Sequence, residues 1–368
     1  MTNEEILALI AHQTYNYRAS SAVVNELTAQ YDAMFSQAVN KLRELLDELT
    51  ESEKAAFTSN VYSTDRLKEM RSVFDSIQDS IATTLPESFM LSAIPYAIYE
   101  AEFMAKLYKK PVKVSEKALK DAIVKRPVVG GELFDEIWKD LGQKTRRNAL
   151  LAVRNGINQG DNTADIARAL KGKRVKVGNE YKYVGGLLEK TKNSIDGEVR
   201  TIRSHVSQVA YKEIYDALGF EYLRSFSVMD GRTTFICASL DGTVWHKDDQ
   251  SIVWTPRHRR CRTVLLGVNK DGNIEGKQPF VADDRAVKNI PKEERAGKIG
   301  RIDANVTFKQ WFDTADTKFQ EDWLGKARYD LYKNGDYTID RFVAPNGGQY
   351  TLKQLRELDK KTFKELGL

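Results

Sequence analysis

The sequence predicts a mainly α protein, with long N-terminal helices and a helical C-terminal tail around a small α+β core. Three observations carry that expectation. Apolar residues recur at three- and four-residue steps over most of the chain. The texture changes between Phe220 and Val268, where two runs rich in β-branched and aromatic residues are broken by Asp–Gly turns. With 368 residues, 41% of them hydrophobic, the chain is long enough for two or three domains and a sizeable buried core.

The N-terminal region, 1–110, reads as helices. From Ser20 to Thr50 one apolar stripe runs through Val24, Leu27, Tyr31, Phe35, Val39, Leu42, Leu46 and Leu49, with charged Arg43, Glu44, Asp47 and Glu48 between. The stripe is longer than a small core requires, so part of it is expected to bury against a partner. Thr50 and Glu53 have capping-box spacing and can start a second helix. Leu67, Met70, Phe74, Ile77 and Ile81 mark a third, and Pro86 and Pro95 punctuate the segment beyond it. Pro111, Pro127 and Gly130–Gly131 bracket a short basic connector and place a domain boundary there.

A helical domain over 130–220 comes next. Its first helix ends at Gly160, Asp161 or Asn162 caps a short second one that Gly172 stops, and KGKRVKVGNEYK reads as a basic loop. One or two long helices then reach Gly219. Strands are expected at 220–228 and 261–268, making 220–268 the α+β core. The polar stretch 269–305 reads as an extended linker. The tail, 306–368, is helical again, with Asn334–Gly335 as a stop and Thr351 as a cap.

Charge and composition narrow the function classes. Lys and Arg number 57 against 52 Asp and Glu, a net +5, too modest for a dedicated nucleic-acid-binding domain. No uncharged stretch approaches the roughly 18 residues of a membrane span, and the acidic opening MTNEEILALI is unlike a signal peptide, so synthesis in a cytosol and no membrane partner are expected. Basic clusters at 168–176, 257–262 and 285–301 are the places where phosphate or an acidic partner would sit, with Arg257, Arg259 and Arg260 beside Trp254, and Lys173 with Arg174, the foremost contacts.

The most informative block is 227–268. Cys237, His246, His258 and Cys261 form C-x8-H-x11-H-x2-C, all zinc-ligand types, and the last two are close enough to share one loop. A closed structural site would need all four. A Cys237–Cys261 disulfide and a pair of free thiols are the other readings. His246 beside Asp248 and Asp249 offers a hydrolytic alternative, a metal-dependent nuclease, although no second acidic cluster converges on it in the sequence. Asp230, Arg232, Thr233, Leu240, Asp241, Gly242, Pro256 and Arg262 read as structural: turns, a helix cap at Thr233, and an Arg–carboxylate pair fixing two loops.

These same residues resemble the Mu F-like head-morphogenesis family of tailed phages, whose pattern is DxRTCxxCxxLDG, a loop, then PxHxxCRC. The chain keeps Asp230, Arg232, Thr233, Cys237, Leu240, Asp241, Gly242, Pro256, His258, Cys261 and Arg262. Thr234 and Thr263 stand where two family cysteines would be. The resemblance extends over roughly 130–360, through Gly156, Gln159 and Gly160, then Arg200 and Thr201, and in the tail Trp311, Gln320, Leu324, Gly325, Arg328, Leu331, Gly335, Leu352 and Leu355. It implies a non-enzymatic, few-copy minor head protein in the virion. Such a protein would be bound to the portal and to other head proteins such as the major capsid or scaffold protein, with double-stranded DNA contacted without sequence specificity, in some relatives at genome ejection. Because two thiolate positions are lost, the expectation for a cofactor is none, with zinc as the alternative.

Overall fold

The computed structural model describes residues 3–178 and 180–368. In chain order its helices and strands are α1 (Asn3–Asp47), α2 (Glu51–Thr58), α3 (Asp65–Asp79), α4 (Leu85–Leu107), α5 (Glu116–Lys125), α6 (Phe134–Gln159), α7 (Thr163–Lys171), β1 (Lys173–Val177), β2 (Glu180–Val184), α8 (Gly186–Leu218), β3 (Tyr222–Phe226), β4 (Met229–Asp230), α9 (Phe235–Leu240), β5 (Val244–His246), β6 (Val264–Val268), β7 (Lys277–Val281), β8 (Ile299–Asp303), α10 (Phe308–Thr314), α11 (Thr317–Leu324), α12 (Lys326–Asn334), α13 (Leu352–Leu358) and α14 (Lys360–Glu365). With 62% helix against 10% strand the protein is mainly α with a small α+β region, as the periodicity predicts.

The chain forms two units that do not match the linear division 1–110, 130–220, 220–268, 269–305 and 306–368. One comprises Met1–Tyr15, Glu100–Val114 and Ser207–Leu368; the other Asn16–Tyr99 and Ser115–Val206. Helices α1, α4 and α8 are long enough to contribute residues to both.

The second unit is helical. Thr50 and Glu53 cap α2 reciprocally, and the Glu53 carboxylate also accepts from Thr64 Oγ1 (2.8 Å) and Arg66 Nη1 (2.8 Å), joining the starts of α2 and α3. Tyr31, Phe35, Phe57, Phe74, Phe89 and Trp138 fill the core. Helix α6 crosses α3 where it carries Gly142: a Cβ there would lie 2.8 Å from the Gln78 carbonyl oxygen, so only glycine allows the approach. Neither proline ends a helix. A five-residue π-helical turn, Ser80–Thr84, precedes Pro86, and α4 runs straight through Pro95. The carbonyl Pro95 leaves without a helical donor belongs to Leu91, an exposed residue where water can serve it. The basic connector contains α5, capped by Ser115, and the basic loop at 172–184 is an antiparallel hairpin of β1 and β2.

The first unit holds the two three-stranded sheets. Strands β5, β3 and β6 form an antiparallel three-stranded sheet, with Tyr222 opposite both His246 and Val268. A second sheet runs β4-β7-β8, with β4 parallel to β7 and β7 antiparallel to β8. The stretch 269–305 is therefore not a linker, since it supplies two of that sheet's three strands. Nor is the tail peripheral. Phe308, Trp311, Phe312, Phe319, Leu324, Phe342 and Leu355 share one buried cluster with Met229 and Phe235, and Gln320 Nε2 donates to the Phe312 carbonyl (2.6 Å) inside it. Between α1, α4 and α8 lies a buried polar group, in which Glu100 accepts from Tyr211 (2.7 Å) and meets His12 Nε2 (2.7 Å).

Candidate metal centre and its scaffold

The short helix α9 begins after Thr234 and presents Cys237 into the core, where it is 1% exposed. Thr233, expected to cap it, instead donates its hydroxyl to the Val228 carbonyl. The Thr234 hydroxyl oxygen is buried and has no hydrogen-bond partner. On the other side, the loop between β5 and β6 turns at His258 and closes with Cys261 N–H donating to the His258 carbonyl (3.1 Å). The three-residue spacing folds His258 and Cys261 back toward the same point.

The two cysteine sulfurs are 3.7 Å apart, and His258 Nε2 lies 3.3 Å from Cys237 Sγ. Ligand atoms on a tetrahedral zinc, at the usual ~2.3 Å for sulfur and ~2.0 Å for nitrogen, would sit about 3.8 Å and 3.5 Å from one another, close to these two separations. All three ligand atoms lie within 4.8 Å of one another. His258 Nδ1 is 2.9 Å from the Arg259 carbonyl, to which it donates, leaving the Nε2 lone pair facing sulfur. Both cysteines are free thiols; a disulfide would need the sulfurs nearly half as far apart.

The pair is electrostatically uneven. Its shared S–H···S contact, together with burial, pushes Cys237 up to about 12. Cys261 is brought down to about 6, first by Cys237 and then by backbone groups of Arg257 and Thr263 and the Arg257 charge, which outweigh burial. The lowering at Cys261 is in the direction of the deprotonated form that a metal ion requires.

His246 is not the fourth corner. It sits at the edge strand β5, against the ring of Tyr222, with its Nδ1 accepting from Asp248 N–H (3.3 Å), and the cluster comprises Cys237, His258 and Cys261 among the described residues. In register it pairs with Tyr222 at the start of β3.

The surrounding motif residues form the scaffold. Arg262 grips Asp230 with both guanidinium nitrogens, at 2.7 and 2.6 Å, tying the loop after Cys261 to β4. Burial alone would raise the Asp230 carboxyl; this fork, with Arg232, holds it below its ordinary value. Arg232, whose side chain is 72% exposed, contributes a longer contact of 3.3 Å, so the pair that fixes the two loops is Asp230–Arg262. Asp241 accepts backbone N–H groups from Ser227 and Phe308, both at 2.7 Å, joining the sheet to the start of α10. Gly242 comes next with φ +80°, and a Cβ there would strike Thr307 at 2.5 Å. Leu240 closes α9, and Pro256 is buried at the entry to the His258 turn.

Sequence reasoning missed Ser227, Gln208 and Arg224. Ser227 donates to the Cys237 carbonyl (3.0 Å) and its hydroxyl meets that of Thr263 at 3.2 Å. Gln208 Oε1 of α8 accepts from Thr255 and from Leu265 N–H, pinning the metal loop from behind. Arg224 donates to Gly272, Ala304 and Asn305, linking the two sheets. None has a spacing signal, because each partner is remote in sequence.

The basic residues divide. Arg257 turns partly inward, donating to Ser225 Oγ (2.9 Å) and the Val253 carbonyl, with one guanidinium nitrogen buried, so that it also supports the cysteine loop. Arg259 and Arg260 are exposed. In the 285–301 cluster, Arg285 pairs with Asp283 and Glu294, and Lys298 with Asp283, so those charges are internally compensated. Lys173 and Arg174 lie on β1. No family model, curated protein or solved structure matches the chain.

Proposed function

We propose that the chain is a minor head protein of a tailed phage, acting in procapsid assembly with the portal and residing in the virion after synthesis in the host cytoplasm. What supports this reading is the resemblance in the 227–268 motif, together with the physical role each matched residue has. Asp230 with Arg262, Asp241 with the backbone N–H groups of Ser227 and Phe308, and Cys237 with His258 and Cys261 are contacts across the chain that a random scatter of such residues would not make. We take the role to be assembly. Contact with double-stranded DNA would then be nonspecific and would fall to Arg259, Arg260, Lys173 and Arg174. The test is mass spectrometry of procapsids and virions of a phage encoding this chain. A few copies per particle in both are expected; absence from both overturns the reading.

The cysteine cluster fits zinc better than the sequence alone suggested. Cys237, His258 and Cys261 would hold it, and the ion would supply a cross-link between α9 and the β5–β6 loop. Three protein ligands with a fourth position open is also the arrangement of hydrolytic zinc sites, which favours the nuclease alternative. Against catalysis, Cys237 and Cys261 are 1% and 4% exposed, too enclosed for a phosphodiester to approach. Plasmid cleavage that requires a divalent metal and disappears in Cys261→Ser would reinstate it.

A further inference from the structure

The β1–β2 hairpin stands out because neither of its faces is buried. Four of the five β1 residues are exposed, and Val175 only half-buried. Two isolated strands are marginal in water, so an exposed hairpin needs its root held. The root is held: Gly172 and Gly186, both at positive φ, pack backbone on backbone, and a Cβ on Gly172 would meet the Val184 and Gly185 carbonyls at 2.5 Å. Gly185 N–H also donates to Glu189 at the start of α8 (2.6 Å).

The register sorts the residues. Arg174 pairs with Tyr183 and Lys176 with Tyr181, so these four share one face. Tyr181 is 60% exposed and Tyr183 40%. Arg174 lies over the Tyr181 ring at 4.4 Å, and Lys171 over Tyr183 at 5.2 Å. Among the described residues neither Arg174 nor Lys176 has a carboxylate partner, in contrast to the compensated 285–301 cluster.

We propose that this face binds single-stranded nucleic acid. The uncompensated cations would neutralise phosphates, and each tyrosine, two residues and so ~7 Å from the next, would carry a base on its open side. An acidic protein surface would use the cations but not the rings. A duplex would use the cations but keeps its bases stacked internally, out of reach of the rings. The strand face shares Arg174 with the duplex contact proposed above, but its failure would leave the assembly reading standing, because that reading is carried by the 227–268 motif.

The test is fluorescence anisotropy of the full chain with a labelled oligothymidylate and with a duplex of equal length, across a salt series. The oligothymidylate should bind more tightly. Tyr181→Ala with Tyr183→Ala should weaken it about tenfold or more at unchanged melting temperature. Arg174→Gln with Lys176→Gln should reduce the slope of log affinity on log salt by about 1.4. Photocrosslinking of bromouracil-substituted strand to the unmodified chain should label the peptide containing Tyr181 and Tyr183, a readout independent of any variant. Undiminished binding by the tyrosine variant, preference for the duplex, equal competition by polyglutamate, or crosslinks elsewhere would each overturn the proposal.

Discussion

Asp230 shows how one motif residue works. Its carboxylate is 11% exposed, and the two-point grip of Arg262 keeps it ionised. Asp230→Asn leaves the guanidinium half-buried without its charge partner, which should cost about 3 kcal/mol in urea unfolding. Because the folded carboxyl lies below its unfolded value of ~3.9, its stabilisation is complete above that pH and is lost as pH falls through the folded value. The gap between wild type and variant should therefore narrow between pH 7 and pH 3; a gap that widens on acidification contradicts the assignment. At the metal cluster, elemental analysis of protein purified without chelator should give close to one zinc per chain, and Cys261→Ser should abolish it. Zinc far below one per chain in the unmodified protein would return the site to the empty, degenerate one that Thr234 and Thr263 suggest. Gly242→Ala should destabilise by at least ~1 kcal/mol, since the left-handed backbone and Thr307 both oppose a side chain.

At the scale of elements, legibility in the sequence tracks how local each cause is. Helices α1, α3, α6 and α8 were readable because the 3.6-residue stripe of each is written in its own sequence, and the caps at Thr50, Asn162 and Thr351 are hydrogen bonds over three residues. Strands β7 and β8 were not, because their apolar positions are few and β7 carries Pro279. They exist through pairing with each other and with a two-residue β4 fifty residues away. The hairpin was missed because Lys and Arg dominate it and neither face is apolar. The Cys237–His258–Cys261 cluster was readable from residue type and spacing, whereas the exclusion of His246 depends on sheet register. The tail's role was hidden since Trp311 packs on Phe280 of β7 as well as on Phe308 and Phe319. Trp311→Ala should thus cost ~3–5 kcal/mol and loosen the metal core, seen as faster zinc loss to a chelator. A loss under ~1 kcal/mol would mark the tail as an independent appendage.

At the scale of the whole molecule, two units built from interleaved segments imply that a cut in the linear sequence falls inside at least one of them. No helix among the described residues is long and apolar enough to cross a membrane. The proposed partner is the portal. The apolar stripe from Val24 to Leu49, expected to be partly free for a partner, is buried within the chain. Docking would therefore fall to surfaces outside that stripe, with the matched motif held by the Asp230–Arg262 pair. The most direct test is co-sedimentation of the purified chain with the portal oligomer encoded by the same phage. The account predicts a saturable complex in which the chain moves with the portal and withstands physiological salt. A chain that stays at its free sedimentation position, while folded and zinc-loaded, would contradict it.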